Sequence, residues 1–426
     1  MRLTDEEKRM LDGRDGPAVQ KAMDLLIRYG EALGAEKLVE TSNVSTTVVA
    51  SSGYMRDYAA KYGFDALFSE FNLDSQEAVE IPMVKTHSCQ LITGFDAQHW
   101  EQMGGTPDRV KSIKEHEEYN ASIGIQLMST CTPYQVGNIP VKGEHCAWME
   151  SSAVVYINSV LGARTNCEGR ESTGAAMLTG RIPYWGYHVD ENRLATDLVE
   201  VEWDVESMLD WGLLGYYVGE VVGDRVPVLS GVRHVPNSYR IKHFGASAAS
   251  SGGVELYHIP KITAEAQSVE EALGGKKPQF SFKFGQEERQ RAYNRLNISA
   301  KDTKVDFIML GCPHASIEQI WEICKLLKGK RVHSGTQLWI FTPRAIRELA
   351  DRNGYTQIIT DAGGFLMSDT CPALGQVLPP GTKVVATDSA KQAHYLPAIM
   401  GIQCWFGSLE DCVRAAITGN WGGELR

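Results

Sequence analysis

The sequence predicts an α/β protein of several domains, built on mainly parallel, doubly wound sheets. Three observations predict it. From residue 304 onward, short apolar runs alternate with amphipathic stretches in the βα rhythm of a parallel sheet. Polar segments punctuated by Gly and Pro follow several of the strand-like runs, which is where ligands bind in open α/β sheets. The length of 426 residues, with 43% hydrophobic and 22% charged, exceeds one compact core, so two or three domains are expected.

Taken in order, Thr4 followed by Asp5, Glu6 and Glu7 marks a helix start, and apolar residues at helical spacing continue over 16–33. A strand over 37–41 leads into the polar segment 41–47, read as a loop whose Ser42, Asn43 and Ser45 are candidate substrate-binding groups. A helix follows over 54–62, then a strand over 80–84, a polar helix over 107–119, and a strand over 123–128 that delivers Cys131 to a loop. Residues 152–161 read as a buried helix closed by Gly162. The middle carries strands over 198–202 and 226–229 and a helical stretch over 212–223. The small-residue tract over 243–258 would let a helix or loop lie against a neighbouring backbone. A charged helical connector over 265–276 ends in Gly274-Gly-Lys-Lys-Pro278, which suggests a boundary. Beyond it come strands over 304–310, 337–341, 357–360 and 383–386, with helices over 317–327 and 343–353. The domains expected from this pattern are 1–125, 126–275 and 276–426.

A formal charge of −11 without a Lys/Arg-rich run argues against a nucleic-acid partner and leaves small molecules and proteins. No segment approaches twenty uninterrupted apolar residues, and the charged start Met-Arg-Leu-Thr-Asp-Glu-Glu-Lys has no apolar region behind it, so no membrane partner and a cytoplasmic location are expected. Nine cysteines, an odd number scattered through the chain, speak against a disulfide framework and leave metal-binding, catalytic or inert thiols.

Three of those cysteines share a signature. Each follows a predicted strand and has proline as the next residue or next but one: Cys131-Thr-Pro, Cys312-Pro and Cys371-Pro. Proline fixes the local backbone and removes a competing N–H, which suits a thiolate held towards a metal cluster. Three thiolates leave one coordination position open for Lewis-acid chemistry, whereas the plainer reading is buried, inert cysteine. Cys324 and Cys412 fall in apolar helical stretches and read as core, Cys146 and Cys167 lack the proline, and Cys89 and Cys404 are unassigned. Two other classes compete: a hydrolase using Cys131 or Cys312 as nucleophile with His314, and a non-catalytic carboxylate-binding protein.

Eight separated motifs, Cys131-Thr-Pro-Tyr, Gly143-Glu-His, Glu150-Ser-Ser-Ala-Val-Val-Tyr, Asn158-Ser-Val-Leu-Gly-Ala-Arg-Thr-Asn166, Ala249-Ser-Ser-Gly-Gly, Gly311-Cys-Pro-His, Asp369-Thr-Cys371 and Ser389-Ala-Lys-Gln-Ala-His-Tyr, resemble the aconitase X family in content and order. The resemblance implies an aconitase-like fold and a hydro-lyase that removes water from a small hydroxy acid. It also implies that Cys131, Cys312 and Cys371 bind an iron–sulfur cluster ([2Fe–2S] or [4Fe–4S]) or a mononuclear iron. Within it, Arg164 and Lys391 are assigned to anion binding, Asn166 and Ser389 to orienting hydrogen bonds, and Ser151 to the substrate. Glu150, His145, His394 and Lys391 are the catalytic candidates. The family's substrates point to cis-3-hydroxy-L-proline, because no added basic cluster is present for a phosphate, with (R)-5-phosphomevalonate as the alternative. A separate small subunit carrying the swivelling domain and a catalytic serine is the expected partner. Asp388 and Ala390 stand where the family pattern suggests a small amide and a glycine.

Overall fold

The computed structural model describes residues 1–48 and 53–426. Its strands, in chain order, are β1 (Leu38–Glu40), β2 (Asn43–Thr46), β3 (His87–Gln90), β4 (Cys146–Trp148), β5 (Arg181–Pro183), β6 (Asp197–Val201), β7 (Pro227–Ser230), β8 (Phe280–Phe284), β9 (Phe307–Leu310), β10 (Gln337–Thr342), β11 (Phe365–Ser368), β12 (Val384–Thr387) and β13 (Gln403–Phe406). They form a three-stranded sheet β3-β2-β4, a second of order β7-β6-β8, a five-stranded sheet β11-β10-β9-β12-β13 and the pair β1-β5. Among the described strands, only the pair β1-β5 is antiparallel.

The five-stranded sheet shows why near-continuous apolar runs become strands. Phe307 and Met309 of β9, with Trp339 and Phe341 of β10, enter the core on one face, while Ile308, Leu310, Leu338 and Ile340 enter the core on the other. A sheet covered on both faces needs this, and it hides the polar–apolar alternation of a half-exposed strand. The chain lays β9, β10 and β11 outward, then returns to place β12 on the free side of β9. The strand order therefore reverses between β9 and β12, the crevice where doubly wound sheets take ligands.

Central strand β2 corrects the expectation of a loop over 41–47. All four of its residues are buried between β3 and β4. Two of its polar side chains, which looked like loop residues, are satisfied internally: the Asn43 carboxamide oxygen accepts the Trp148 indole N–H at 2.9 Å, and the Thr46 and Thr173 hydroxyls meet at 2.7 Å. Residues 80–84 are not a strand, and 123–128 reduce to a single bridge between Cys89 and Gln126. Residues 357–360 lie in a helix, Tyr355–Ala362, and the strand is β11 instead. Ile359 and Ala362 are buried three residues apart against Ile320 and Ile323, so a helical face overrides the β-branched local preference. The connector over 265–276 is helical only at Val269–Ala272.

Strand pairing joins residues on either side of both expected domain divisions, β2 with β4 across 125/126 and β6 with β8 across 275/276. The small-residue tract forms helix Ser238–Ser251, which packs on helix Met208–Val222 at backbone contact. A Cβ on Gly215 would lie 2.3 Å from the Phe244 carbonyl oxygen, and one on Gly219 2.4 Å from that of Ala248.

Candidate active site

Three loops leave the carboxyl ends of strands or their extensions and carry one cysteine each. Each is turned by a left-handed residue just upstream: Ser129 (φ 46°) before Cys131, Gly311 (φ 86°) before Cys312, and Asp369 (φ 63°) before Cys371. Five non-glycine residues have positive φ among the described residues, and two of them are here, which marks both loops as held in place by their surroundings. Asp369 accepts the Arg344 guanidinium, at 2.7 Å through Nε, and its carbonyl takes the Thr93 N–H at 3.1 Å. A Cβ on Gly311 would meet the Phe341 carbonyl oxygen at 2.2 Å, so only glycine serves there.

The loops converge. Cys131, Cys312 and Cys371 are 7%, 6% and 8% exposed, yet all three line one cavity of about 520 Å³. Carboxyl ends of the first sheet supply the facing wall, through Thr47 after β2, Leu91 and Ile92 after β3, and Met149 and Glu150 after β4. The Gln392 amide N–H reaches the Cys312 sulfur at 2.9 Å and that of Cys371 at 3.7 Å. Burial pushes the Cys312 thiol up to about 12 and also raises Cys131 and Cys371. A bound cation would reverse that, since thiolates are stabilised by coordination. These thiols are the side chains that could hold a soft metal group, although among the described residues no three His, Cys, Asp or Glu side chains stand close enough to enclose an ion.

Beside the thiols, the Lys391 ammonium lies 2.5 Å from Glu150 Oε1, with both side chains largely buried. Glu150 caps helix Ser151–Tyr156, its other oxygen accepting the Ala153 N–H at 2.9 Å and the Ser152 hydroxyl at 2.5 Å. Burial alone would raise its pKa, but the Lys391 charge and these donors outweigh it and hold the carboxyl below the usual range. Burial likewise opposes the charge on Lys391, and Glu150 outweighs it. Both groups are therefore ionised. Lys391 also reaches the Ser151 hydroxyl at 3.4 Å.

Cys131, Cys312, Cys371, Glu150, Ser151 and Lys391 are thus brought together. Ser389 sits just behind them, capping helix Ala390–Met400 by accepting the Gln392 N–H at 3.3 Å. The other candidates do not line the cavity. Ser42 bonds Glu144 at 3.3 Å on the surface, Asn43 is committed to Asn138 and Trp148, and Ser45 is fully buried beside Cys89. Arg164 pairs with Asp190 and the His188 carbonyl, and His145 meets His188 ring to ring at 2.9 Å. Asn166 accepts the Tyr187 N–H at 2.8 Å, and His394 contacts the Tyr216 hydroxyl at 3.1 Å. Burial lowers the pKa of both His145 and His394.

Sequence reasoning missed Gln392, Lys242 and the exposed Cys167, which also lines the cavity. Gln392 was within reach, because it follows Lys391 in a matched motif. Lys242 carried little signal, since Arg240 stands two residues before it on the same helix. Lys242 is 1% exposed and donates to the His314 carbonyl at 2.7 Å and to Gln319 at 2.8 Å. The hydrolase alternative fails on His314, whose ring nitrogens are taken by Thr130 and Thr370 at 2.8 Å each. A larger cavity, about 600 Å³, lies behind Gly311 and Asp388 but contains none of these thiols.

Thiols and a buried ion pair gathered at the carboxyl edges of two parallel sheets make the framework of an aconitase-type lyase. The chain belongs to the aconitase X family: models of its first, second and third domains match residues 1–191, 195–294 and 305–418. The phosphomevalonate dehydratase large subunit of Methanocaldococcus jannaschii is 36% identical, covering 97% of this chain and 100% of that one. The cis-3-hydroxy-L-proline dehydratase of Pseudomonas aeruginosa is 31% identical, covering 98% of this chain and 70% of that one. The crystal structure of Thermococcus kodakaraensis aconitase X in its holo form superposes with a TM-score of 0.82 at 32% identity, covering 98% of this chain and 100% of that one.

Proposed function

We propose that the substrate of this hydro-lyase is cis-3-hydroxy-L-proline. The observation that carries the reading is the charge of the cavity: among the described residues lining it, Lys391 and Glu150 are the charged side chains, one of each sign. A zwitterion matches that pair, carboxylate to Lys391 and ring ammonium to Glu150. Phosphomevalonate brings a phosphate and a carboxylate with no cation, and would set both against Glu150. The carbon next to the ammonium is the one that loses its proton, which places Glu150 as the acceptor. The C2–H electron pair forms the C2=C3 bond as the C3–O bond breaks; the departing hydroxide takes a proton from solvent and leaves as water, and Glu150 returns the proton it accepted to solvent. Lys391 keeps the substrate carboxylate in place and stabilises charge that builds on it.

Cys131, Cys312 and Cys371 would hold the iron group. Their soft thiol set suits iron–sulfur chemistry or a mononuclear iron. When bound, such a group supplies a Lewis acid for the departing hydroxyl. Nine free thiols fit a reducing, cytoplasmic setting. Leu374 and Ile399 stand 64% and 45% exposed at the cavity mouth, an apolar rim suited to a small-subunit partner of the kind that the relatives' large-subunit naming implies.

Phosphomevalonate is the second reading, favoured by the 36% identity to a phosphomevalonate dehydratase large subunit over its full length. One assay separates the two. The chain is reconstituted anaerobically with iron, sulfide and its small subunit, then given each compound, and loss of one water is followed by mass spectrometry. Turnover of the hydroxyproline is expected. Turnover of phosphomevalonate alone would overturn the substrate assignment.

A further inference from the structure

His314 ties three separate stretches of chain. Its Nε2 lies 2.8 Å from the Thr370 carbonyl, which only accepts, so Nε2 carries the proton. Nδ1 is then the acceptor and takes the Thr130 hydroxyl at 2.8 Å. The His314 backbone N–H donates to the Cys131 sulfur at 3.3 Å, and its carbonyl is fixed by Lys242 at 2.7 Å and Gln135 at 3.0 Å. Thr130 and Thr370 each immediately precede a cavity cysteine, and His314 follows the third by two residues. The residue is 1% exposed.

We infer that His314 is a positioning residue: its imidazole latches the Cys131, Cys312 and Cys371 loops to one another and so sets the spacing at which the three sulfurs act together. A histidine that only fills the core would change stability and leave the joint reactivity of the sulfurs alone. The latch makes no contact with substrate; it acts through the thiols, as hydrogen bonds behind metal ligands do. The inference rests on the proposed function only in naming iron as what the thiols capture.

The test uses the full-length chain, metal-free, as parent, His314→Gln and Thr130→Val. The probe is phenylarsine oxide, whose hydrated form condenses with neighbouring thiols, forming As–S bonds and releasing water. A second readout is the rate at which a chelator strips iron from each reconstituted chain. In both variants, arsenical capture should weaken and iron loss accelerate by about tenfold or more. The thermal midpoint of the metal-free chains should move far less. Capture and iron loss unchanged within about twofold in both variants would overturn the latch. If His314→Gln does not fold, Thr130→Val decides alone, since it exchanges a hydroxyl for a methyl. A parent that captures the arsenical in a latch-dependent way but takes no iron would refute the iron reading and leave the latch standing. A parent that captures neither refutes the latch as well.

Discussion

Glu150 and Lys391 hold each other charged in a place where burial favours neither charge. Lys391→Met removes the largest influence that keeps the Glu150 carboxyl low, so its pKa should rise. A base must be ionised to act, and the acidic limb of the kcat profile should therefore move to higher pH, with kcat down by about 10²–10⁴. An unmoved limb would remove Glu150 from the role of base. Asp388 is the opposite case. It is 5% exposed, its Oδ1 has no hydrogen-bond partner, and burial lifts it from 3.8 to about 7. The folded chain thus keeps a proton that the unfolded chain releases between about pH 4 and 7, and stability falls as pH rises through that window. Asp388→Asn, which restores the amide that the family pattern suggests, should leave urea stability at pH 4 nearly unchanged. At pH 8 it should raise it, by up to roughly 4 kcal/mol for a shift of about three units. An equal change at both pH values would show that packing, not ionisation, is responsible.

Among the elements, the sharpest case is helix Met208–Val222, where two glycines have opposite surroundings. A Cβ on Gly215 would run into the Phe244 carbonyl at 2.3 Å, whereas one on Gly212 would meet the Phe406 and Ala390 side chains at 3.5 and 3.8 Å, ordinary contact. Gly215→Ala should destabilise by about 1–3 kcal/mol, and Gly212→Ala should stabilise by up to about 1 kcal/mol through helix propensity. Thermal unfolding of the two variants checks both signs, and similar midpoints would contradict the close helix packing. The same helix shows how far the sequence reaches. Runs such as 212–223 and 317–327 declare themselves through length and spacing. The polar central strand β2 does not, because its Asn43 and Thr46 are satisfied by Asn138, Trp148 and Thr173, which lie far along the chain. Residues 357–360 mislead for a related reason, their isoleucines being held by a helix on the same sheet face. At the site, the proline signature pointed to the three thiols. Arg164 lies off the thiol cavity and pairs with Asp190, and a cation between glycines looks alike whether it faces a substrate or a carboxylate of its own chain.

Across the whole molecule, the cavity is built from the first and third domains, with Thr47, Cys131 and Glu150 on one side and Cys312, Cys371 and Lys391 on the other. The second domain lines none of it. Whatever the three thiols bind therefore joins those two domains and adds the free energy of binding to their association. Ligand at about a thousand times its Kd adds about 4 kcal/mol, so loading the chain with iron and sulfide should raise its thermal midpoint, and a chelator should return it to the starting value. Replacing any one of the three cysteines by serine should abolish most of the gain, whereas Cys324→Ser, in a core of the third domain, should lower the midpoint of both forms and keep the difference. Hydrogen exchange locates the effect. Protection on loading should appear at 129–135, 311–315 and 368–373 and leave strands β6, β7 and β8 unchanged, because those strands belong to the domain that lends no side chain to the cavity. Protection spread evenly over all three sheets would mean that the thiols do not act as a local clamp between the first and third domains.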